Sequence, residues 1–225
     1  MIVVTDGITL SRRKFREYDR LAMVFTRDFG RLRVRYIGVD RPKAKLRAFT
    51  EPFVRAIFRL YLRAGAEVAT GVGGAIECVY PAVRADLHST HEAFYCCELV
   101  LRLTPEQQPS PEKFDLLAGA LGALEDAEHR WVTLAFGLRL LEDAGFGLRD
   151  ACPAEVPQAL WTDLHEAEWS SLRLLPFDAA RQRAGASLVS RHIRGRIDIG
   201  IESERFLIDD AGRQTQDAGR ETILS

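Results

Sequence analysis

The sequence predicts an α+β protein of two domains, a small N-terminal β-barrel followed by an α-helical bundle. Three observations favour this class. Short β-type stretches separated by turn signals fill residues 1–80, and from about Pro81 apolar residues recur at the three- and four-residue spacings of helices. The charge also divides: residues 1–65 hold sixteen Lys and Arg against six Asp and Glu, although the whole chain carries a net charge of −1. We therefore expect domains at 1–80 and 81–208, with a flexible tail at 209–225.

Five strands are expected in the first domain. The β-type stretches are 2–4 with 8–10, then 21–26, 31–36, 52–62 and 66–80. Asp6-Gly7 is a turn signal within the first, Gly30 suits a tight hairpin, and Gly71–Gly74 predicts a bulge. Five strands with one basic face fit a barrel of the oligonucleotide-binding type, and the strand count fits an SH3-like barrel equally well.

Five helices are expected in the second domain. Their ranges are 82–103, 112–124, 128–144, 157–174 and 177–193. Ser110 precedes the second as a cap, and Gly145 follows the third at the position that helix C-termini favour. In 128–144, Trp131, Leu134 and Leu138 recur on one apolar side. This pattern predicts a packed helical domain rather than a single long helix.

Composition excludes several classes of protein. The chain is 47% hydrophobic and 28% charged, an ordinary globular mixture, and charged residues interrupt every apolar run before it reaches the length of a membrane span. The N-terminus lacks the pattern of a secretory leader. The four cysteines form no C-x-x-C pair, so neither a disulfide framework nor a structural zinc site is indicated. We expect a soluble cytoplasmic protein.

The residues indicate no catalytic site, cofactor or metal. The glycine-rich stretch at 70–75 lacks the Lys-Ser/Thr of a phosphate loop. His88-x-x-His91-Glu92 could place two imidazoles on one helix turn, but with no further ligand at motif spacing a solvated helix face is the favoured interpretation. No nucleophile has a base and an orienting partner nearby in sequence. We therefore do not expect an enzyme.

The basic residues form the most specific pattern. Strict alternation in 31–36 places Arg31, Arg33 and Arg35 on one face of a strand, about 6–7 Å apart. That interval is close to the phosphate spacing of an extended single strand, and guanidinium groups both bind phosphate and stack on bases. Further candidate DNA-binding residues flank this stripe in the sequence: Arg12, Arg13, Lys14, Arg41, Lys43, Lys45 and Arg47. Tyr18, Phe29 and Tyr36 could stack on bases, although each is more typical of a core.

A third basic cluster lies far along the chain. It comprises Arg181, Arg183, Arg191, Arg194 and Arg196. The cluster could extend a DNA path or balance the acidic helical domain, and the sequence does not separate these alternatives. For the excess positive charge of residues 1–65, the alternative to a polyanionic partner is a well-solvated basic face.

Several motifs taken together resemble the RecO family of bacterial DNA repair proteins. In chain order these motifs are 7–10, 18–20, 25–32, 51–53, 95–99, 114–117, 138–141 and 145–147, with a Lys/Arg-rich loop between Gly38 and Leu46. The resemblance covers most of residues 5–150. It implies an oligonucleotide-binding barrel followed by a helical domain, binding and annealing of single- and double-stranded DNA, and no nucleotide hydrolysis. It also implies action with RecR, and often RecF, to load RecA onto DNA coated by the single-stranded DNA-binding protein.

The chain departs from the family pattern in three places. Many members carry a four-cysteine zinc module after the Gly-x-Gly turn, where this chain keeps only Cys152. A basic run that helps some relatives dock the acidic tail of the single-stranded DNA-binding protein is replaced here by Leu134–Gly137, which leaves Arg130 and Arg139 as the nearest cations. Asp40 stands in the basic loop where a basic residue is usual.

The charge pattern also allows a function of another class. The chain could be a protein–protein adaptor whose acidic helical domain does the work, with an incidental basic barrel. DNA binding at physiological salt would separate the two, because such an adaptor would have little affinity for oligonucleotides.

Overall fold

The computed structural model describes residues 1–63, 65–197 and 201–203. Five strands close a barrel in the order β1-β2-β3-β5-β4, in which β1 pairs with both β2 and β4. The strands are β1 (Ile2–Lys14), β2 (Arg20–Thr26), β3 (Gly30–Tyr36), β4 (Arg55–Tyr61) and β5 (Val68–Cys78). All neighbours are antiparallel except β3 and β5, which are parallel. The oligonucleotide-binding barrel is confirmed, and the SH3-like alternative is set aside.

The turn predicted at Asp6-Gly7 is wrong, because β1 runs through it without a break. Asp6 pairs with Ile57 of β4, and Gly7 pairs with Ala56 on one side and Thr26 on the other. A Cβ atom on Gly7 would lie 2.8 Å from the Phe58 ring. The glycine therefore makes room for a barrel-core ring rather than turning the chain.

The other turn and register predictions for the barrel are confirmed. Gly30 has φ +66° at the β2–β3 hairpin, a conformation that glycine adopts without strain. The pairing of β4 with β5 shifts register between Arg59 and Leu60, opposite the predicted Gly71–Gly74 bulge. In β3, residues 32, 34 and 36 are buried while the arginines between them are partly exposed.

In the described part of the chain, six α-helices follow the barrel. They are α1 (Pro81–Ala85), α2 (Leu87–Leu103), α3 (Pro111–Ala123), α4 (Val132–Asp143), α5 (Gln158–Glu166) and α6 (Ala179–Ile197). The predicted helix 82–103 is broken at Asp86, which has φ −111° and ψ 131° and accepts a hydrogen bond from the Ser89 amide. The predicted helix 157–174 ends at Glu166, and a 3₁₀ turn over Trp169–Leu174 follows. Gly145 has φ +81° just beyond α4, as expected.

Two apolar cores hold the structure together. One fills the barrel around Tyr36, Phe58 and Leu60, all fully buried. The larger core lies among the helices and includes barrel residues such as Ile8 and Phe25. The barrel therefore packs directly on the helical part. The change from strand to helix falls between Cys78 and Pro81, and the predicted tail 209–225 lies outside the described residues.

Polar contacts reinforce the junction of the barrel with the helices. Arg27 forms a two-pronged ion pair with Asp115 of α3, and Arg55 pairs with Asp6 at 2.7 Å. Both guanidinium groups also lie against the Phe114 ring. Within the described part of the chain, none of the helices is both long and apolar enough to cross a membrane.

Candidate nucleic-acid interface

The arginine stripe of β3 lies on one face, as predicted, but carboxylates of the same chain already engage two of its three members. Arg33 bonds to Glu106 at 2.9 Å, and Arg35 bonds to Asp19 at 2.6 Å. Arg31 is half-buried under the segment that follows α2, whose Gln107 amide donates to the Arg31 carbonyl at 3.0 Å. Burial lowers the pKa of Arg31, with Glu106 opposing that effect. The stripe is thus part of the fold as well as a candidate surface.

Asp19 ties the stripe to the neighbouring loop. Its carboxylate accepts hydrogen bonds from the Gly38 amide at 2.8 Å and from Arg35. Those two bonds, the Gly38 amide first, lower the pKa of Asp19 below its usual range. Asp19 therefore stays ionised and fixes the start of the 38–47 loop against β3.

The exposed positive charge lies beside the stripe, on two segments at one end of the barrel. Arg13 and Lys14 end β1, and Arg16 follows them in the turn to β2, where it adopts a left-handed conformation with φ 73°. The loop after β3 supplies the rest. We call this surface the basic rim, and its members are Arg13, Lys14, Arg16, Arg41, Lys43, Lys45 and Arg47, all of them exposed. None of them forms an ion pair with another described residue.

A groove of about 450 Å³ lies at the β1 end of the basic rim and reaches Asp40 at the start of the loop. It is lined by Arg12, Arg13, Lys14, Glu17, Tyr18, Arg20 and Asp40. Arg47 and Lys14 both act on the charge of Asp40 at its wall. The β1 end and the loop thus act as one surface although about 30 residues separate them in sequence. The positive field is concentrated in a concave site of the kind that holds an anionic strand.

Arg20 anchors this groove from below. Its side chain is only 10% exposed and reaches Asp40 at 2.7 Å, Glu51 at 2.8 Å and the Thr50 hydroxyl at 3.0 Å. Arg12 shares the same Glu51 oxygen at 2.8 Å. The hydrogen bond from Arg20 lowers the pKa of Asp40. Asp40 therefore holds the basic loop in place, and Arg12 is committed to an ion pair at the edge of the groove.

One of the three candidate stacking residues is exposed at the basic rim. Tyr18 is 39% exposed, and the Arg41 guanidinium lies 5.2 Å from the centre of its ring. Tyr36 is buried in the barrel, where burial raises its pKa, and Phe29 packs against the same core. Only Tyr18 is placed to meet a base.

The two cations named for partner binding are in different situations. Arg139 donates to the carbonyls of Leu164 and Ala167 and lies against the Trp169 ring, so it is occupied within the helical part. Arg130 is exposed, with its Nε 3.7 Å from the exposed Glu128 carboxylate and its guanidinium 4.9 Å from the centre of the Phe177 ring. The segment Leu134–Gly137 is buried, with α6 packed beside it.

The distant arginine cluster lies on α6. Arg181 is 3.8 Å from Asp178 at the start of that helix, and Val189 and Ile193 bury the opposite side of the helix in the large core. The side chain of Arg196 lies outside the described residues. This cluster is therefore on the helical part and is separate in sequence from the basic rim.

The four-cysteine zinc module does not fit the residues at hand. Cys152 donates weakly to the Val156 carbonyl at 3.3 Å, while Cys96 and Cys97 are buried on α2, where burial raises the pKa of both thiols. A different group is placed together instead. His88, Glu92 and His129 bring their ligand atoms within 4.8 Å of one another, and Glu92 is buried rather than on the solvated face expected of it.

Comparisons with known proteins match both parts of the chain. The family model described as "Recombination protein O N terminal" matches residues 1–71, and the one described as "Recombination protein O C terminal" matches residues 84–154. The first covers β1 to β4, the start of β5 and the basic rim. The second covers α2 to α4 and ends shortly after them.

Curated relatives carry the same name, DNA repair protein RecO. The protein of Geobacter metallireducens is 35% identical over 124 residues, which cover 55% of this chain and 50% of the relative. That of Desulforudis audaxviator is 35% identical over 144 residues, covering 64% and 57%. That of Listeria monocytogenes is 26% identical over 149 residues, covering 65% and 58%. The matched part of the chain thus spans a little over half the length of these relatives.

Proposed function

The chain belongs to the RecO family of DNA repair proteins, and from that premise we propose that it binds DNA through the basic rim of its barrel. The single observation that supports this most is the set of seven exposed cations of the basic rim, none of which forms an ion pair with a described residue and two of which, Arg13 and Lys14, line the groove. A surface with so many uncompensated charges on one side of a nearly neutral protein suits a phosphate backbone.

The route of a single strand follows from the groove. Phosphates contact the cations of the 41–47 loop and of the β1 end, while a base stacks on Tyr18. Arg33 and Arg35 lie beside this path, and each already forms an ion pair, Arg33 with Glu106 and Arg35 with Asp19. Each can bind phosphate only if it shares its guanidinium group with its carboxylate partner or leaves that partner. We therefore assign them a smaller role than the rim, in contrast to the weight that the sequence pattern gives them.

The proposed activity is that of a recombination mediator rather than an enzyme. By this proposal the protein binds single- and double-stranded DNA, anneals complementary strands and helps load a RecA-type recombinase in DNA repair. A RecR-like protein is the proposed partner in loading. Among the described residues, the titratable groups with altered pKa values include ion pairs of the fold and buried side chains such as Tyr36 and Cys97, which supports a protein without a nucleophile and its base.

A contact with the acidic tail of single-stranded DNA-binding protein is assigned to Arg130 alone. Arg130 is exposed beside Phe177, which offers an acidic peptide a cation and an apolar contact. Arg139 is left out because two backbone carbonyls and Trp169 already occupy its guanidinium.

The test is a double variant, Lys43→Gln with Lys45→Gln, measured by fluorescence anisotropy on a labelled single strand over a range of salt. Each lost phosphate contact lowers the slope of log K against log salt by about 0.7 and, near 0.15 M salt, lowers affinity by a factor of about four. We expect a loss of roughly tenfold for the double variant. Strand annealing, with and without the acidic tail peptide, is measured in parallel.

The matched control is Arg59→Gln with Arg63→Gln. Both residues are exposed cations of the barrel outside the rim, and the control removes the same charge. Equal losses of DNA affinity in the two double variants would mean that binding depends only on the net charge of the protein. That result would overturn the assignment of the DNA-binding site to the basic rim. Absence of DNA binding by the unmodified protein at physiological salt would instead favour the adaptor.

A further inference from the structure

A side-chain cluster in the helical part is built to hold a cation that the DNA-binding role does not require. His88 and Glu92 lie one turn apart on α2, and His129 reaches them from the connection between α3 and α4. The Glu92 side chain is 3% exposed, that of His129 is 12% exposed and that of His88 is 32% exposed. A carboxylate so deeply buried needs a positive partner.

The contact of His129 with the backbone defines which of its ring nitrogens faces Glu92. Its Nδ1 lies against the carbonyl oxygen of Asp126, which can only accept a hydrogen bond, so Nδ1 carries a proton. The lone pair of the neutral ring is then on Nε2, which lies 2.9 Å from Oε2 of Glu92. Two acceptors this close require a proton between them, on the ring or on the carboxyl group, or a metal ion.

The remaining contacts of the cluster resemble the surroundings of metal ligands. The Thr133 hydroxyl donates to Oε1 of Glu92 at 2.5 Å, whereas Oε2 receives no well-aligned hydrogen bond. A ring nitrogen bonded to a backbone carbonyl is the usual second contact of a metal-binding histidine. His88 adds a third ligand, with Nε2 at 3.8 Å from Oε1 and its ring stacked beside that of His129.

From this geometry we propose that His88, Glu92 and His129 form a zinc site that joins the α3–α4 connection to the first turns of α2. Two imidazoles and one carboxylate are an established donor set for Zn²⁺, with bonds of about 2.0–2.2 Å and neighbouring ligand atoms about 3.4 Å apart. The ligand atoms here already lie within 4.8 Å of one another. His88, the most exposed member, closes the site by a small rotation.

Solvent completes the coordination from the side of His88. Ser89 lines the same edge, with its hydroxyl 3.4 Å from His129 Nε2 and donating to Asp86. The Asp86 carboxylate, which accepts hydrogen bonds from the Ser89 amide and hydroxyl, adds negative charge next to the cluster. Three protein ligands leave the fourth position of a tetrahedral Zn²⁺ to solvent, and the role we assign to the metal is to join the α3–α4 connection to α2.

The experiment adds Zn²⁺ to metal-free protein and compares the full chain with its variants His88→Gln and His91→Gln. Both replace a partly exposed histidine of α2, but only His88 belongs to the cluster. His88→Gln leaves the contact of His129 with Glu92 intact, so the fold is retained. We expect one zinc per chain by calorimetry and a thermal midpoint at least about 5 °C higher at a hundredfold excess over Kd.

The expected outcome for His88→Gln is at least a tenfold weaker affinity, with His91→Gln unchanged. Cobalt substitution supplies a second readout, because nitrogen and oxygen ligands give a visible spectrum without the intense charge-transfer band of thiolates. The proposal is overturned if no zinc binds, if His88→Gln binds as tightly as the unmodified chain, or if the thiolate band shows that cysteines hold the metal. DNA binding is read separately, so neither proposal depends on the other.

Discussion

At the scale of single residues, Asp40 shows how an acidic side chain can support a basic surface. It stands among the cations of the 41–47 loop, yet its carboxylate faces inward to Arg20 and its amide donates to the Tyr18 carbonyl at 3.0 Å. From the sequence alone it looks like a defect in the DNA loop. The sequence does not reveal the role of Asp40 because Arg20 stands 20 residues earlier in the chain, and only the folded barrel brings these two residues together.

The variant Asp40→Asn tests this role through its pH dependence. The pKa of Asp40 is lowered in the folded state by Arg20, so its contribution to stability is fully present at neutral pH and is lost as pH falls through that lowered value. The thermal midpoint of Asp40→Asn should therefore lie below that of the unmodified chain at pH 7. The thermal midpoints of the two proteins should begin to converge below about pH 4, where aspartate in the unfolded chain begins to bind protons. Midpoints are measured by circular dichroism from pH 7 to 3.

The exposed Asp150 provides the control for that measurement. Asp150→Asn removes the same charge without touching an ion pair among the described residues. A pH profile of Asp40→Asn parallel to that of the unmodified chain would contradict the anchoring role.

At the scale of elements, the sequence predicts the strands and helices well where a period is long and local. The alternation of β3 and the three-and-four spacing of α4 both identify their elements, with ends within a few residues. The break at Asp86 and the continuity of β1 through Gly7 were missed. The first depends on a local cap, in which Asp86 accepts a hydrogen bond from Ser89 three residues later, and the second on a tertiary contact, the room that Gly7 leaves for the ring of Phe58.

The candidate site was likewise predicted from the sequence only where its pattern is local. The alternation of β3 predicted which arginines share a face. It did not predict that Glu106 pairs with Arg33, 73 residues away, or that Asp19 pairs with Arg35, 16 residues away. Arg16 was missed because it stands alone in a turn. The cluster of His88 with Glu92 was seen as a solvated face because its third member, His129, is 37 residues further along the chain.

Two glycines, Gly71 of β5 and Gly122 of α3, should respond to alanine in opposite directions. A Cβ at Gly71 would lie 2.2 Å from the ring of the fully buried Tyr36, so Gly71→Ala should destabilise by about 1–3 kcal/mol. A Cβ at Gly122 meets nothing within 4 Å, so Gly122→Ala should stabilise by up to about 1 kcal/mol through helix propensity. Urea titration measures both, and a neutral Gly71→Ala would mean that the barrel core has room to spare.

At the scale of the whole molecule, the near-neutral charge is the balance of a basic barrel and an acidic helical part that share a core. Ile8, Leu10 and Phe25 of the barrel belong to the same apolar cluster as Phe114 and the interior of the helices. Arg27 and Asp115 join the two charges directly. A core common to both parts favours unfolding as one cooperative unit rather than as two independent domains.

Phe114→Ala tests that cooperativity. The side chain is fully buried, with its ring 6.0 Å from that of Phe25, and its removal should cost about 3–5 kcal/mol. All three tryptophans lie between residues 131 and 169, so their fluorescence reports the helical part, while amide exchange in β2 and β3 reports the barrel. We expect the unfolding transitions seen by both probes to move to lower urea concentration together. Phe146→Ala, at a 36% exposed position, should change the free energy of unfolding seen by either probe by no more than about 0.5 kcal/mol. A barrel that keeps its protection while the fluorescence transition moves would show two separate units, and would place the stability of the basic rim in the barrel alone.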